Sequence, residues 1–447
     1  MAMVVTLVGL GAYVYLIELP SEQSRVQTDI EEKKILPFQE REITGLTVDG
    51  GAGKVTVALK DGAWRITEPL SMSADAHAVE AMIRALILGK VNRVVEETAT
   101  TLAPFGLEKP SVVLTVKADS RQETLSLGDS GPISSTLYAM RDSDRKILLT
   151  DLAPKDFLNK SLMAFRKKEI LHFDQNQVER LRLTYPQTEI VLYRNTDKES
   201  KKPWTIRYPV EKPADQPEVR TLLMKLEELK ALAFIDPGPQ HDDLLRLFKK
   251  PAVKITVHAA GTDQTVKLFR PDPASGEAYA VTTPEMPIYR INPTLIKDIS
   301  KDLFTLQDKR LLGLDSADIS MLTVKTRDER YTLIRQNGTW VLEDAPNEKV
   351  DQEKATIFVS RVADLPAELR VVKQKGPLTP YGLASPAAEF TATGKDGKQS
   401  GRLVLGSRVG GLVYALGESL PGIYQARSDL LTQIPPKREL IQAAQGT

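Results

Sequence analysis

The chain says the same thing three times, and that repetition constrains its architecture more than any other feature. Its only tryptophans, Trp64, Trp204 and Trp340, are each followed eleven residues later by an aspartate: Asp75, Asp215 and Asp351. A proline comes 35 or 36 residues after the aspartate, at Pro110, Pro251 and Pro386. A tyrosine sits 28 residues after each proline, at Tyr138, Tyr279 and Tyr414. The Trp-to-Trp periods are 140 and 136 residues. A unit of that length is one ordinary domain, far longer than the units of solenoid arrays, which cannot bury a core alone. The 447 residues therefore read as three homologous domains over 42–174, 175–314 and 315–440.

The amino terminus carries a second signal. Met1 to Ile17 has no charged side chain, and Glu18 is the first. At about 1.5 Å per residue the run spans roughly 25 Å, close to the thickness of a bilayer core. A cleaved signal peptide is one rival and a buried helix another. The signal peptide would show a basic start and a small-x-small cleavage site, and Glu-Leu-Pro-Ser-Glu-Gln after Ile17 offers no such site. The favoured expectation is a transmembrane anchor over 1–19, in which Thr6, Gly9 and Gly11 would allow close packing on another membrane helix. A polar juxtamembrane stalk over 20–41 follows, with Ile35-Leu36-Pro37-Phe38 docking on the first domain. Only the terminal amine precedes the span as a positive charge, so charge does not set its orientation. An anchor followed by a large exported region is the simplest arrangement.

Within a repeat, alternation announces strands. Lys54 to Leu59 alternates apolar with other residues, Asp61-Gly62 is a hairpin turn pair, and Trp64-Arg65-Ile66 starts the return. The third copy repeats this with Tyr331 to Ile334, Asn337-Gly338 and Trp340 to Leu342. The second copy departs, with a longer loop and Lys202-Pro203 in place of the turn pair. A helix follows, started by Ser73 or Asp75 in the first copy, since a side-chain oxygen can accept from free backbone N–H groups there. Its apolar stripe falls at Val79, Met82, Ile83 and Leu86; at Val219, Leu222, Leu223 and Leu226; and at Ala355, Phe358, Val359 and Val362.

Next come Phe105-Gly106-Leu107-x-x-Pro110 and Tyr381-Gly382-Leu383-x-x-Pro386, where glycine supplies a left-handed residue before a strand. The second copy has Phe248 there, which weakens that reading for it. Strands follow each proline, and a further strand is expected to end at Leu127-Gly128 and at Leu405-Gly406. The tyrosine strand and one more complete the sheet. A closing helix is expected around Leu152 to Phe165 and Leu295 to Leu306, and cut short in the third copy at Pro435-Pro436. The fold class is α+β: a mainly antiparallel sheet with packed helices in each domain.

Composition limits the chemistry. Sixty basic residues face 59 acidic ones, with no basic block, so nucleic-acid binding has no electrostatic support. Cysteine is absent, which removes thiolate metal sites, disulfides and cysteine nucleophiles. His77, His172, His241 and His258 are scattered and form no His-x-x-x-His pattern. No nucleophile elbow, P-loop or dinucleotide fingerprint occurs. Gly50-Gly51-Ala52-Gly53 lies between two strands and reads as a flexible hairpin. The three aspartates could be read as catalytic carboxylates, but their recurrence at helix starts favours capping. The tryptophans and tyrosines read as packing residues. No catalytic, cofactor or metal residue is assigned.

The Trp-x-x-x-x-Pro stretch from Trp64 to Pro69, the aspartate-started helix, the Phe/Tyr-Gly-Leu-x-x-Pro box and the Leu-Gly before a tyrosine strand together resemble one known family. Its members are bacterial envelope proteins of unknown function with an amino-terminal anchor, often encoded beside gliding-motility-type ABC transporters and their auxiliary subunits. The resemblance spans nearly the whole chain after the anchor. It implies a single-pass inner-membrane protein with its soluble region in the periplasm, whose partners are an ABC permease or ATPase and an auxiliary envelope subunit. The expected function is a non-catalytic accessory scaffold. A glycan- or lipid-binding module is the alternative and would show exposed tryptophans or an apolar groove. An envelope-polymer hydrolase is a further one and would show polar residues gained by a single copy.

Overall fold

Period-two patterning makes each repeat an antiparallel meander, and one amphipathic helix interrupts it. The computed structural model of the chain describes residues 33–442, except 99, 134, 196, 198–201, 271–273, 285 and 374–375. The expected anchor over 1–19 and the stalk up to residue 32 lie outside the described residues. Among those described, no helix is long and apolar enough to cross a membrane.

In the first repeat, strands β1 (Ile43–Gly50), β2 (Val55–Lys60), β3 (Ala63–Glu68) and β4 (Met72–Ser73) run back and forth. Helix α1 (Ala76–Leu88) comes next, then β5 (Val91–Glu96), β6 (Val112–Ala118), β7 (Arg121–Ser130), β8 (Leu137–Arg141) and β9 (Ile147–Thr150). Two single-turn helices close the unit, α2 (Lys155–Leu158) and α3 (Leu162–Phe165). The sheet order is β4-β3-β2-β1-β6-β7-β8-β9-β5. The helix thus carries the chain from one edge of the sheet to the other, and a second meander fills the space between.

The second repeat has β10 (Val178–Thr184), β11 (Glu189–Arg194), β12 (Trp204–Tyr208), β13 (Lys212–Pro213), α4 (Gln216–Glu227) and β14 (Ala233–Ile235). A helix the sequence did not announce, α5 (Pro239–Leu247), replaces the glycine turn, and Phe248 after it keeps φ at −79°. Then come β15 (Val253–Ala259), β16 (Thr262–Phe269), β17 (Ala278–Thr282), β18 (Ile288–Ile291), α6 (Thr294–Ile299) and α7 (Leu303–Leu306). The third repeat has β19 (Ile319–Thr326), β20 (Arg330–Gln336), β21 (Thr339–Leu342), α8 (Gln352–Ala363) and β22 (Leu369–Val372). It continues with β23 (Ala388–Gly394), β24 (Ser400–Val409), β25 (Leu412–Gly417), β26 (Ile423–Arg427) and α9 (Asp429–Thr432). The sheet orders are β13-β12-β11-β10-β15-β16-β17-β18-β14 and β21-β20-β19-β23-β24-β25-β26-β22. Three sheet-rich, mainly antiparallel domains with helices therefore match the three copies. By backbone contacts the described residues form two compact units. One takes those up to His172 with Glu228–Phe248 and Pro271–Asn292; the other takes Phe173–Glu227, Lys249–Arg270 and those from Pro293 on.

Each main helix buries the stripe its spacing requires, and all twelve expected side chains are buried. Burying the large apolar side chains of each stripe, four in α1 and in α4 and three beside Ala355 in α8, is worth about 1.5–3 kcal/mol apiece as an upper estimate. That outweighs the roughly 1 kcal/mol of a helix cap, so packing rather than propensity holds these helices. Part of the opposite face is apolar, with small clusters around the glycine turns gathering Leu107, Met140 and Ile147 in the first domain and Leu383, Val404 and Ile423 in the third, and the rest is polar. A threonine row crosses the first sheet at Thr124, Thr115, Thr47 and Thr56, with Oγ–Oγ distances of 3.3 Å for Thr115–Thr124 and 3.2 Å for Thr47–Thr56. Thr256–Thr265 and Thr323–Thr332 repeat the pairing at 2.9 and 3.2 Å.

Several expectations need correction. The closing helix is two short turns, split by Asn159-Lys160-Ser161 in one copy and by Ser300-Lys301-Asp302 in the next. The third copy is not cut short: it ends in α9 and a 3-10 turn over Lys437–Leu440. The end of the unit docks identically in all three. The amide of Asp75 donates to the carbonyl of Phe165, Asp215 to Leu306 and Asp351 to Leu440, at 2.7, 2.8 and 2.7 Å. The strands expected to end at Gly128 and Gly406 run on to Ser130 and Val409, with a register shift at each glycine.

The described part of the stalk belongs to the first domain. Ile35, Leu36 and Phe38 are buried in its core, as the docking expectation had it. Lys33 accepts from the Val91 amide, as Lys168 does from Ala231 and Lys309 from Ala367. Lys33-Lys34-Ile35, Lys168-Glu169-Ile170 and Lys309-Arg310-Leu311 are thus the same leading segment, placed before each copy.

Candidate functional site

The twelve repeated markers fall into two local clusters in each domain. The first joins tryptophan and aspartate. Asp75, Asp215 and Asp351 each accept at Oδ1 from the amide three residues on, all at 3.1 Å, so the carboxylates cap α1, α4 and α8. Ser73 lies in β4 and is not the cap. Trp64, Trp204 and Trp340 are buried, at 9%, 6% and 3% exposure. In the second and third copies a glutamine clamps the tryptophan backbone. Gln216 accepts from the Trp204 amide and donates to the Trp204 and Ala214 carbonyls; Gln352 does the same with Trp340 and Val350. The equivalent position in the first copy is Ala76. The Arg194 and Arg335 guanidinium groups lie 6.0 and 5.5 Å from the rings of Trp204 and Trp340.

The second cluster joins the glycine turn, proline and tyrosine. Gly106 and Gly382 take φ of 66° and 68°, a region open to glycine at little cost. Each turn lies flat on the next glycine of the motif. A Cβ on Gly128 would sit 2.1 Å from the Phe105 carbonyl oxygen, and one on Gly406 would sit 2.2 Å from that of Tyr381. The tyrosine packs edge-on against the turn's aromatic, with ring centroids 5.0 Å apart for Tyr138–Phe105 and for Tyr414–Tyr381. Tyr279 meets Phe248 at 5.4 Å although its turn has become a helix. Pro110, Pro251 and Pro386 stand two residues ahead of their strands, where no ladder amide is lost. The aspartates are therefore placed in caps, the tryptophans and tyrosines in packing contacts, and the prolines at the approach to a strand.

One polar constellation was not visible as a motif. Across the outer face of the middle sheet, Asp263, His258, Arg180, Tyr193 and Thr205 stand side by side on five adjacent strands. His258, scattered in sequence, has Nδ1 2.6 Å from Asp263 Oδ1 and Nε2 3.9 Å from Glu179. Arg180 reaches Asp263 at 3.2 Å. The hydrogen bond from His258 holds the Asp263 carboxyl below its ordinary range, with Arg180 adding to the effect. Hydrogen bonding to Tyr193 is the largest influence raising the Arg180 guanidinium. A shallow groove of about 560 Å³ opens at one end of the row, lined by Tyr193, Arg194, Asn195, Thr205 and Arg207. Among the described residues no group of three acidic or histidine side chains is placed to hold a metal ion.

Three overlapping stretches, 64–244, 204–369 and 340–443, match the model of one family, described as a domain of unknown function (DUF4340). Each match begins at one of the three tryptophans. No curated protein and no solved structure matches the chain.

Proposed function

The chain belongs to the DUF4340 family, a domain of unknown function that it carries three times, and from that premise we propose a non-catalytic accessory scaffold. The observation that carries the reading is the use of the repeated residues. The aspartates cap helices, the tryptophans fill cores and the tyrosines pack on turns. What the three copies share is a way of building a domain, and a repeated domain without a shared reactive cluster suits recognition by surface.

Residues 1–19 would anchor the chain in the bacterial inner membrane, with the three domains in the periplasm. The partners would be the permease or ATPase of a gliding-motility-like ABC system and its auxiliary envelope subunit. Support for anchor and partners comes from the uncharged amino terminus and from the family resemblance in sequence. Mild detergent extraction of the full-length protein after in-cell crosslinking, with mass spectrometry of what co-purifies, tests the proposal. Recovery of an ABC permease or ATPase supports it. Recovery of the protein alone, or with cell-wall material only, sinks it.

A further inference from the structure

We propose that the outer face of the middle sheet, centred on Tyr193, binds an uncharged oligosaccharide. This goes beyond the scaffold reading, and it rests on what the middle copy has and the others lack. The row at issue reads Asp263, His258, Arg180, Tyr193 and Thr205 across β16, β15, β10, β11 and β12. In the first domain the same positions hold Gln122, Lys117, Gly45, Ala58 and Arg65. In the third they hold Ser400, Thr393, Met321, Ile334 and Val341. A register shift precedes Gly45, Arg180 and Met321 alike, so the three rows are equivalent by structure. Only the middle row combines an aromatic ring with charged neighbours.

The chemistry of the face selects the ligand class. Tyr193 is 41% exposed on the sheet surface and beside the groove. An aromatic ring held on a rigid sheet offers an apolar plane with a polar tip, which matches the C–H face of a sugar. Asn195 and Thr205 stand at the groove as neutral hydrogen-bonding groups. The surrounding cations are already matched by carboxylates: Arg180 and His258 by Asp263, Arg182 by Glu189 and Arg207 by Glu211. Arg194 donates to the Gln175 and Asn176 carbonyls. A polyphosphate or nucleic acid needs unmatched positive charge, and this face offers little. A ligand rich in hydroxyl groups needs donors and acceptors without net charge, and those are present. The groove's volume lies within the usual range for small-ligand sites, about 300–1,000 Å³.

The test is saturation-transfer NMR on the full-length protein in detergent, probed separately with cellohexaose, maltohexaose and chitohexaose, and with heparin and polyphosphate as charged controls. The expected result is transfer to at least one hexamer, reduced at least fivefold in Tyr193→Ala and kept in Tyr193→Trp. Transfer should persist at 0.5 M salt. A Tyr331→Phe variant, altered in the third domain, should leave the signal unchanged. Three results would overturn the proposal: no transfer to any hexamer, equal transfer in Tyr193→Ala, or binding confined to heparin or polyphosphate and abolished by salt. None of them bears on whether the protein crosslinks to a transporter, so the two proposals stand or fall separately.

Discussion

At the scale of single residues the repeat is a set of geometric demands. Asp351 supplies one oxygen to the open end of α8, and its replacement by alanine should cost about 1 kcal/mol. Urea unfolding of Asp351→Ala checks this, and an unchanged midpoint would mean solvent caps the helix as well. Gly406 makes a harder demand. A methyl group there would meet the Tyr381 carbonyl oxygen and the backbone of Gly382, atoms that cannot rotate away. Gly406→Ala should lose about 1–3 kcal/mol through overpacking. A methyl group on Gly411, in the same sheet region, would meet nothing within 4 Å, so Gly411→Ala should be nearly neutral in the same assay. Two glycines 5 residues apart thus separate close approach from general chain flexibility.

At the scale of elements, the strands and helices with regular period were legible, and the reason the rest were not is physical. Of the central strands, β1 was implied only by the glycine hairpin that ends it, and β10 and β19 went unread, because each carries an irregularity at the same place. Their buried apolar side chains are Ile43, Leu46 and Val48; Val178, Leu181 and Leu183; and Ile319, Leu322 and Val324. A step of three before a step of two breaks the alternation that announces a strand. The helix stripes, which follow an unbroken 3.6 period, were read residue for residue. The glutamine clamp was hidden for another reason: Gln216 and Gln352 sit beside the conspicuous aspartates, and Ala76 breaks the series. Gln352→Ala removes three hydrogen bonds to the Trp340 and Val350 backbone. The expected loss is about 1–3 kcal/mol, with faster hydrogen exchange at the Trp340 amide as the local readout. The row around Tyr193 was illegible because its members come from five strands and meet only through register.

At the scale of the whole chain, the domains are joined by charged contacts that the repeat does not share. Near the first junction Arg166, 4% exposed, makes two hydrogen bonds to Asp236 at 2.7 and 2.8 Å and lies 3.8 Å over the Phe234 ring. Asp236→Ala would strand that guanidinium, at about 2–4 kcal/mol once the partial exposure of Asp236 is allowed for. Hydrogen exchange should quicken first at Ile170 and Ala231, whose amides tie the leading segment to the second domain. Near the second junction Arg310 bonds Asp308 and Asp315, and Lys202 also reaches Asp315. Burial opposes ionisation of Asp315, but hydrogen bonds from Arg310 and Lys202 outweigh it and hold the carboxyl below its ordinary range. A lowered value in the folded state means the contribution is present above the unfolded value and lost as the pH falls through the folded one. The stability advantage of the wild type over Asp315→Asn should therefore be constant from about pH 7 to 5 and shrink below about pH 4. An advantage that shrank already near pH 6 would assign the effect to another group.

The leading segments give the molecule its grammar. Lys33, Lys168 and Lys309 each open a domain by pairing with a residue three or four positions past the end of its main helix, so the punctuation between two domains belongs to the later one. A cut at 42, 175 or 315 would sever each clause from its opening word and leave the slot filled by Ile35, Ile170 or Leu311 empty. Cuts just ahead of those lysines would keep each opening word with its own clause, and would still sever the Arg166–Asp236 and Lys202–Asp315 pairs that span them.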